Sequence, residues 1–138
     1  MNEFQGLIGS EVYKIYLKED KTVLVLETST GLHGLHTDGD CCSESWIEHI
    51  DGADDFQGYS RTKDTPAIIE KVEEVDLGEV VATRQESDQL YCFNIYLTSG
   101  RKIQIEFRNS SNGYYGGTMD YCFIERLSPE YKELTEDF

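Results

Sequence analysis

The amino-acid sequence predicts an α+β domain, mainly antiparallel β-sheet, with one short helix after a Cys-Cys pair and a second helix at the C-terminus. Three observations lead there. Apolar and polar residues alternate with a period of two along much of the chain. Nine Tyr and six Phe, together with many β-branched residues, favour strands. The period lengthens just after Cys41 and Cys42, where the apolar residues fall at helical spacing. A length of 138 residues fits one domain, 1–138, able to bury a core without disulfide staples.

Residues 11–17 alternate Val12, Ile15 and Leu17 with polar neighbours, and residues 22–27 contain the run VLVL. With the polar turn 18–21 between them they read as an N-terminal hairpin. Residues 30–37 carry Leu32, His33, Leu35 and His36 and are a third strand, weakened by Gly31 and Gly34. Trp46, Ile47 and Ile50 then sit at helical spacing, with Asp40 or Ser43 as N-cap and Glu44 in the first turn. Residues 53–66 are polar and read as a loop, and residues 67–75 as a strand. The strongest local signal is the hairpin of LYCFNIYL (90–97), a turn at 98–101, and the alternation of Ile103, Ile105 and Phe107. Residues 109–117, NSSNGYYGG, are a turn-rich loop, and 118–125 a last strand. Ser128 as N-cap and Pro129 at the first helical position open the C-terminal helix.

The charge is lopsided. There are 27 acids against 12 bases, a formal net charge of -15. Phosphate backbones are bound by Lys and Arg, so direct nucleic-acid binding is excluded as the leading reading. The acids cluster: Asp38, Asp40, Glu44, Glu48, Asp51, Asp54 and Asp55 occur without an intervening base, and Glu70, Glu73, Glu74, Asp76 and Glu79 follow against Lys71 alone. A field of one sign steers association with the opposite sign, so a basic protein partner is expected. Glu44, Glu48, Asp51, Asp54, Asp55, Glu73 and Glu74 are the candidate contact residues. Tyr114 and Tyr115 join them, because tyrosines on a loop give large contact area at low entropy cost. The N-terminal MNEFQGLIGS lacks the basic and apolar regions of a secretory signal, and no apolar run is long enough to span a bilayer. A cytoplasmic protein is expected, with Cys41, Cys42, Cys92 and Cys122 as thiols or metal ligands rather than disulfides.

The densest set of ligating side chains is His33, His36, Asp38, Asp40, Cys41 and Cys42, with His49 beyond. Zinc takes four ligands in a tetrahedron and favours thiolate and imidazole. A structural zinc site on Cys41, Cys42, His36 and His33 is the expectation, with Asp40, His49, Cys92 and Cys122 as rivals. The alternative is that the two adjacent cysteines are buried small hydrophobes. Cys92 and Cys122 sit in strand alternation and read first as core. A cysteine nucleophile beside His36 or His49 has the right residue types for a hydrolase, but no flanking catalytic signature accompanies it. Gly31, Gly34 and Gly39 lack the Lys of a phosphate-cradling loop.

Two motifs, GDCCSESW (39–46) and IEFRNSSNGYYGG (105–117), occur in this order. The pair resembles a domain of unknown function widespread in phages and phage-bearing bacteria, over about residues 6–125. Within that group the chain is similar to zinc-containing type II anti-CRISPR proteins that bind the Cas9 effector. The resemblance implies a stoichiometric Cas9 inhibitor in the bacterial host cytoplasm. It would occupy a basic lobe, so that target DNA cannot load or be cut, and it would hold a structural zinc and catalyse nothing. Many such relatives place a His closer to the Cys pair than His36 stands here, which leaves His33, His36, Asp40 and His49 competing for the remaining ligand positions.

Overall fold

The computed structural model describes residues 4–39, 44–53, 67–111, 117–134 and 136–138. A 3-10 turn, Gln5–Leu7, precedes strands β1 (Val12–Lys18), β2 (Val23–Thr28), β3 (Gly31–Gly39), β4 (Glu44–Asp51), β5 (Ile69–Val80), β6 (Ser87–Leu97), β7 (Lys102–Ser111), β8 (Gly117–Ile124) and β9 (Tyr131–Glu133). They form two antiparallel sheets, one in the order β8-β3-β2-β1-β9 and the other in the order β4-β7-β6-β5. The sheets pack face to face in a β-sandwich-like fold. Alternation sends Ile15, Leu24, Leu26 and Leu35 to the inner face of the first sheet. Phe93, Ile95, Ile103, Ile105 and Phe107 meet them from the second, and all are buried in one cluster. Phe4 and Leu7 plug one end, with the Phe4 ring 4.8 Å from that of Phe93.

The two expected helices are not there. Among the described residues there is no α-helix, and the α+β expectation gives way to an all-β fold. Residues 44–51 are strand β4, paired with β7. The spacing of Ile47 and Ile50 misled because a register shift lies between Ile47 and His49. A β-bulge adds one residue to a strand, so residues three apart return to the same face. Ile47 thus pairs with Phe107 and Ile50 with Ile105, both inward. The same device recurs between Val12 and Lys14, which turns Val12 and Ile15 to the core together, and between Ile69 and Lys71, which does so for Ile69 and Val72. At the C-terminus, Ser128 and Pro129 precede a turn closed by Tyr131 N donating to Ser128 O at 3.1 Å, after which β9 pairs with β1. The open edge of β1 offers main-chain partners that outweigh the local capping preference.

Main-chain bonds close two corners of the sandwich. At one, Gly9 N donates to Ile69 O at 2.8 Å, Ile69 N to Ser10 O at 2.9 Å and Val12 N to Ala67 O at 2.8 Å. At the other, Ile47 N donates to Lys21 O at 2.7 Å, and Ile50 and Phe138 exchange two bonds at 3.1 and 3.2 Å. The edge of β4 is therefore satisfied by the β1–β2 turn and the chain end.

Tyr131 opposes Lys18 while Ile124 opposes Leu32, so β8 ends and β9 begins at diagonally opposite corners of the first sheet. Residues 125–130 must cross the outer face of that sheet to connect them. This explains why Val25, on the outer face, is fully buried. Gly34 on the same face sits against β8: a Cβ there would lie 2.6 Å from Cys122 Sγ and 3.1 Å from Ile124 side-chain carbons. Gly34→Ala is expected to cost about 1–3 kcal/mol in urea unfolding, as overpacking does. Cys122→Ala in the same chain should recover part of the loss. A neutral Gly34→Ala would contradict this packing.

Candidate functional site

His33 sits on the inner face of β3 and is 4% exposed. Its Nε2 is 2.7 Å from Thr30 Oγ1 and its Nδ1 2.7 Å from the Tyr121 hydroxyl. Thr30 Oγ1 in turn meets Ser10 Oγ at 2.8 Å and Thr28 Oγ1 at 3.1 Å. A neutral imidazole has one donor and one acceptor nitrogen, and both are used here. Burial also pushes its pKa below the ordinary histidine value, and burial pushes that of Tyr121 up. The group is a neutral structural hydrogen-bonding centre, with no ring nitrogen left for an ion.

Cys41, Cys42 and the rival Asp40 lie outside the described residues. His36 is on the opposite face of β3 from His33, as an odd separation in a strand requires, and it pairs with Asp120 of β8. Cys122 shares that outer face, opposite Gly34. Cys92 lies in the other sheet, buried, with its thiol 3.3 Å from Asn94 Oδ1 and receiving Gln104 Nε2 at 3.1 Å. His49 is exposed on β4 beside Glu106. Among the described residues no three His, Cys, Asp or Glu side chains come together as a metal group. Burial pushes the thiols of both Cys92 and Cys122 up, away from the nucleophilic thiolate.

The acids divide between the two edges of the second sheet. Glu44, Glu48 and Asp51 are on β4, while Glu73 and Glu74 are on β5, three strand spacings or about 14 Å away. On β4 two acids are matched by cations. Glu44 pairs with Arg84 at 3.3 Å. Glu48 pairs with Arg108 at 3.4 Å and accepts Trp46 Nε1 at 2.8 Å. On β5, Glu73 accepts from the neutral donors Tyr96 at 2.8 Å and Asn94 at 3.3 Å. The hydrogen bonds from Tyr96 and Asn94 hold the Glu73 carboxyl below the ordinary value. Asp76 accepts from Gly78 N at 2.8 Å and Gln89 at 3.4 Å, and Glu79 from Ser87 at 3.0 Å. Asp54, Asp55, Tyr114 and Tyr115 lie outside the described residues.

One constellation has no signature in the sequence. Asp88, completely buried, accepts Arg108 Nη1 at 2.8 Å and Thr83 Oγ1 at 2.7 Å. Gln85 N donates to Ser110 Oγ at 3.0 Å, Arg108 also donates to Val81 O at 3.1 Å, and the Arg84 guanidinium lies 3.9 Å from the centre of the Trp46 ring. These contacts fold the β5–β6 loop back onto the outer face of β4 and β7. Burial works to raise the Asp88 pKa, but hydrogen bonds from Ser110, Arg108 and Thr83 outweigh it and hold the carboxyl below its ordinary value. Its partners are 20 or more residues away or in a loop without pattern, so only the strand register reveals the group.

The model of DUF7448, a domain of unknown function, matches residues 5–121. An uncharacterized protein of Acanthamoeba polyphaga mimivirus is 28% identical over 115 residues, covering 82% of this chain and 87% of its own. No solved structure matches. No helix among the described residues is long and apolar enough to cross a membrane.

Two outcomes follow from these groups. Because the folded pKa of His33 is depressed, the unfolded chain takes up a proton below about pH 6.5 that the folded chain resists. Stability is therefore expected to fall as pH drops through that value, and to fall less steeply in His33→Gln; equal urea-midpoint profiles for the two would contradict it. Arg108→Met leaves Asp88 buried without its cation and is expected to cost about 3–5 kcal/mol at neutral pH. That loss should shrink at pH values below the ordinary carboxylate range, where Asp88 is neutralised, and a loss independent of pH would show that packing alone is responsible.

Proposed function

The chain belongs to the DUF7448 family, and from its own surface we propose that it is a non-catalytic, stoichiometric binding protein for a basic, nucleic-acid-handling protein. The observation that carries this reading is β5. Glu70, Glu74, Asp76 and Glu79 on this strand are exposed, and Glu70, Glu73, Glu74, Asp76 and Glu79 stand against Lys71 alone. A surface of that sign repels phosphates and attracts a protein that binds them.

Cas9 is the first partner to test. The motif pair resembles that of anti-CRISPR proteins, and occupancy of a basic lobe by β5 would keep target DNA from loading. A curated relative in a giant virus is compatible with a virus-borne accessory role. The zinc part of the proposal rests on Cys41 and Cys42 with His36, the outward imidazole of β3. His33 does not fit, since both its nitrogens are engaged.

Titrating the protein into a Cas9–guide RNA cleavage assay is expected to abolish cutting near one-to-one, with more inhibition when the protein is added before DNA. Undiminished cleavage at large excess would reject Cas9 as the partner. Elemental analysis of untagged protein is expected to give close to one zinc per chain, lost in Cys41→Ser; a metal-free preparation of folded protein would reject the zinc site.

A further inference from the structure

Among the described residues the second sheet ends in a long strand with one neighbour. β5 runs from Ile69 to Val80 and pairs with β6 alone beyond its first residues. Among the described residues its other edge meets main chain only at the start, where Ile69 exchanges bonds with Gly9 and Ser10. From Glu70 onward, alternate N–H and C=O groups point away from β6, and none of the described residues forms a strand beside them. Such an edge is a template for an added strand. β4, at the far side of the same sheet, has its edge bonded to Lys21 and Phe138.

We propose that the distal edge of β5 takes up a basic, extended segment of the partner protein by strand addition. This rests on the binding role proposed above and names its mode. Charge decides the occupant. A second copy would set Glu70, Glu73, Glu74, Asp76 and Glu79 beside their own equivalents, and like charges opposite one another across a strand pair are destabilising. A segment rich in lysine meets the same positions favourably and escapes that repulsion. A side-chain anchor is present as well. Leu77, 48% exposed, and Val81, 85% exposed, stand at the distal end of the strand. Apolar side chains left in water beside an unpaired edge give a partner strand something to bury. The register shift between Asp76 and Gly78, with Gly78 at a φ of 92°, twists the strand there and sets one limit to the added pairing. The regular stretch between the two bulges, Lys71 to Asp76, is where main-chain pairing fits best.

The test uses the full chain and a short capped peptide of alternating lysine and threonine, read by isothermal titration calorimetry. A second peptide carries N-methyl groups on alternate residues: its charge is the same, but the donors that would pair with β5 are gone. Binding of the first peptide and at least about tenfold weaker binding of the second is the expected result, the size of one or two lost main-chain bonds. Glu70→Lys with Glu79→Lys, folded by its thermal melt, should weaken the first peptide by about tenfold or more, since the two charge reversals act at close range. Equal affinity for both peptides would show plain charge attraction and overturn strand addition. Failure of the first peptide to bind, or its binding unchanged in the charge-reversed variant, would overturn the β5 site. A chain that dimerises through β5, with the dimer lost in the charge-reversed variant, would overturn the choice of occupant. Peptide binding with the predicted losses stands whether or not Cas9 cleavage is inhibited, so the two proposals fail separately.

Discussion

The whole architecture depends on how two antiparallel sheets dispose of their edges. An antiparallel sheet satisfies its inner main chain by itself, but each edge strand leaves a row of donors and acceptors that must find water or a partner. Here the solution differs at each place. β9 is three residues long and presents little edge. β4 is bonded to the β1–β2 turn and to Phe138, and the start of β5 to residues 9 and 10. Among the described residues no strand pairs with the rest of that edge of β5, which is lined with carboxylates. Main-chain bonds at the corners help join the sheets, and the inner faces are largely apolar.

That division also separates stability from function. The buried polar groups, His33 with Thr30 and Tyr121, and Asp88 with Arg108 and Thr83, are held by short bonds and serve the fold. On β5, Glu73, Asp76 and Glu79 accept from neutral donors and so keep their charge. On β4 the same residue type is spent internally, with Glu44 and Glu48 neutralised by Arg84 and Arg108. Among the described residues the acids of the second sheet therefore form two separate groups, one on β4 and one on β5.

The sequence made the strands legible because alternation is local. The N-terminal hairpin, the strand at 31–39 and the hairpin of β6 and β7 lie where the apolar period puts them. Bulges were not legible: one extra residue turns a period of two into a spacing of three, and Ile47 with Ile50 then looks helical. Capping chemistry at Ser128 was equally local and lost to pairing with β1, which no nearby residue announces. The site was harder still. Two acidic clusters that follow one another in sequence fall on opposite edges of a sheet, and His33 and His36, three residues apart, face opposite sides of theirs. Such separations come from strand order and register, and these are set by contacts across the whole chain.

Residue-resolved amide exchange on the protein alone tests the central claim most directly. If the distal edge of β5 is open, amides between Glu70 and Val80 should alternate, with those facing β6 slow and those facing away fast, while Ile47 and Ile50 on the bonded edge of β4 stay protected. Uniform protection along β5 would show that its edge is already covered, and would contradict the account.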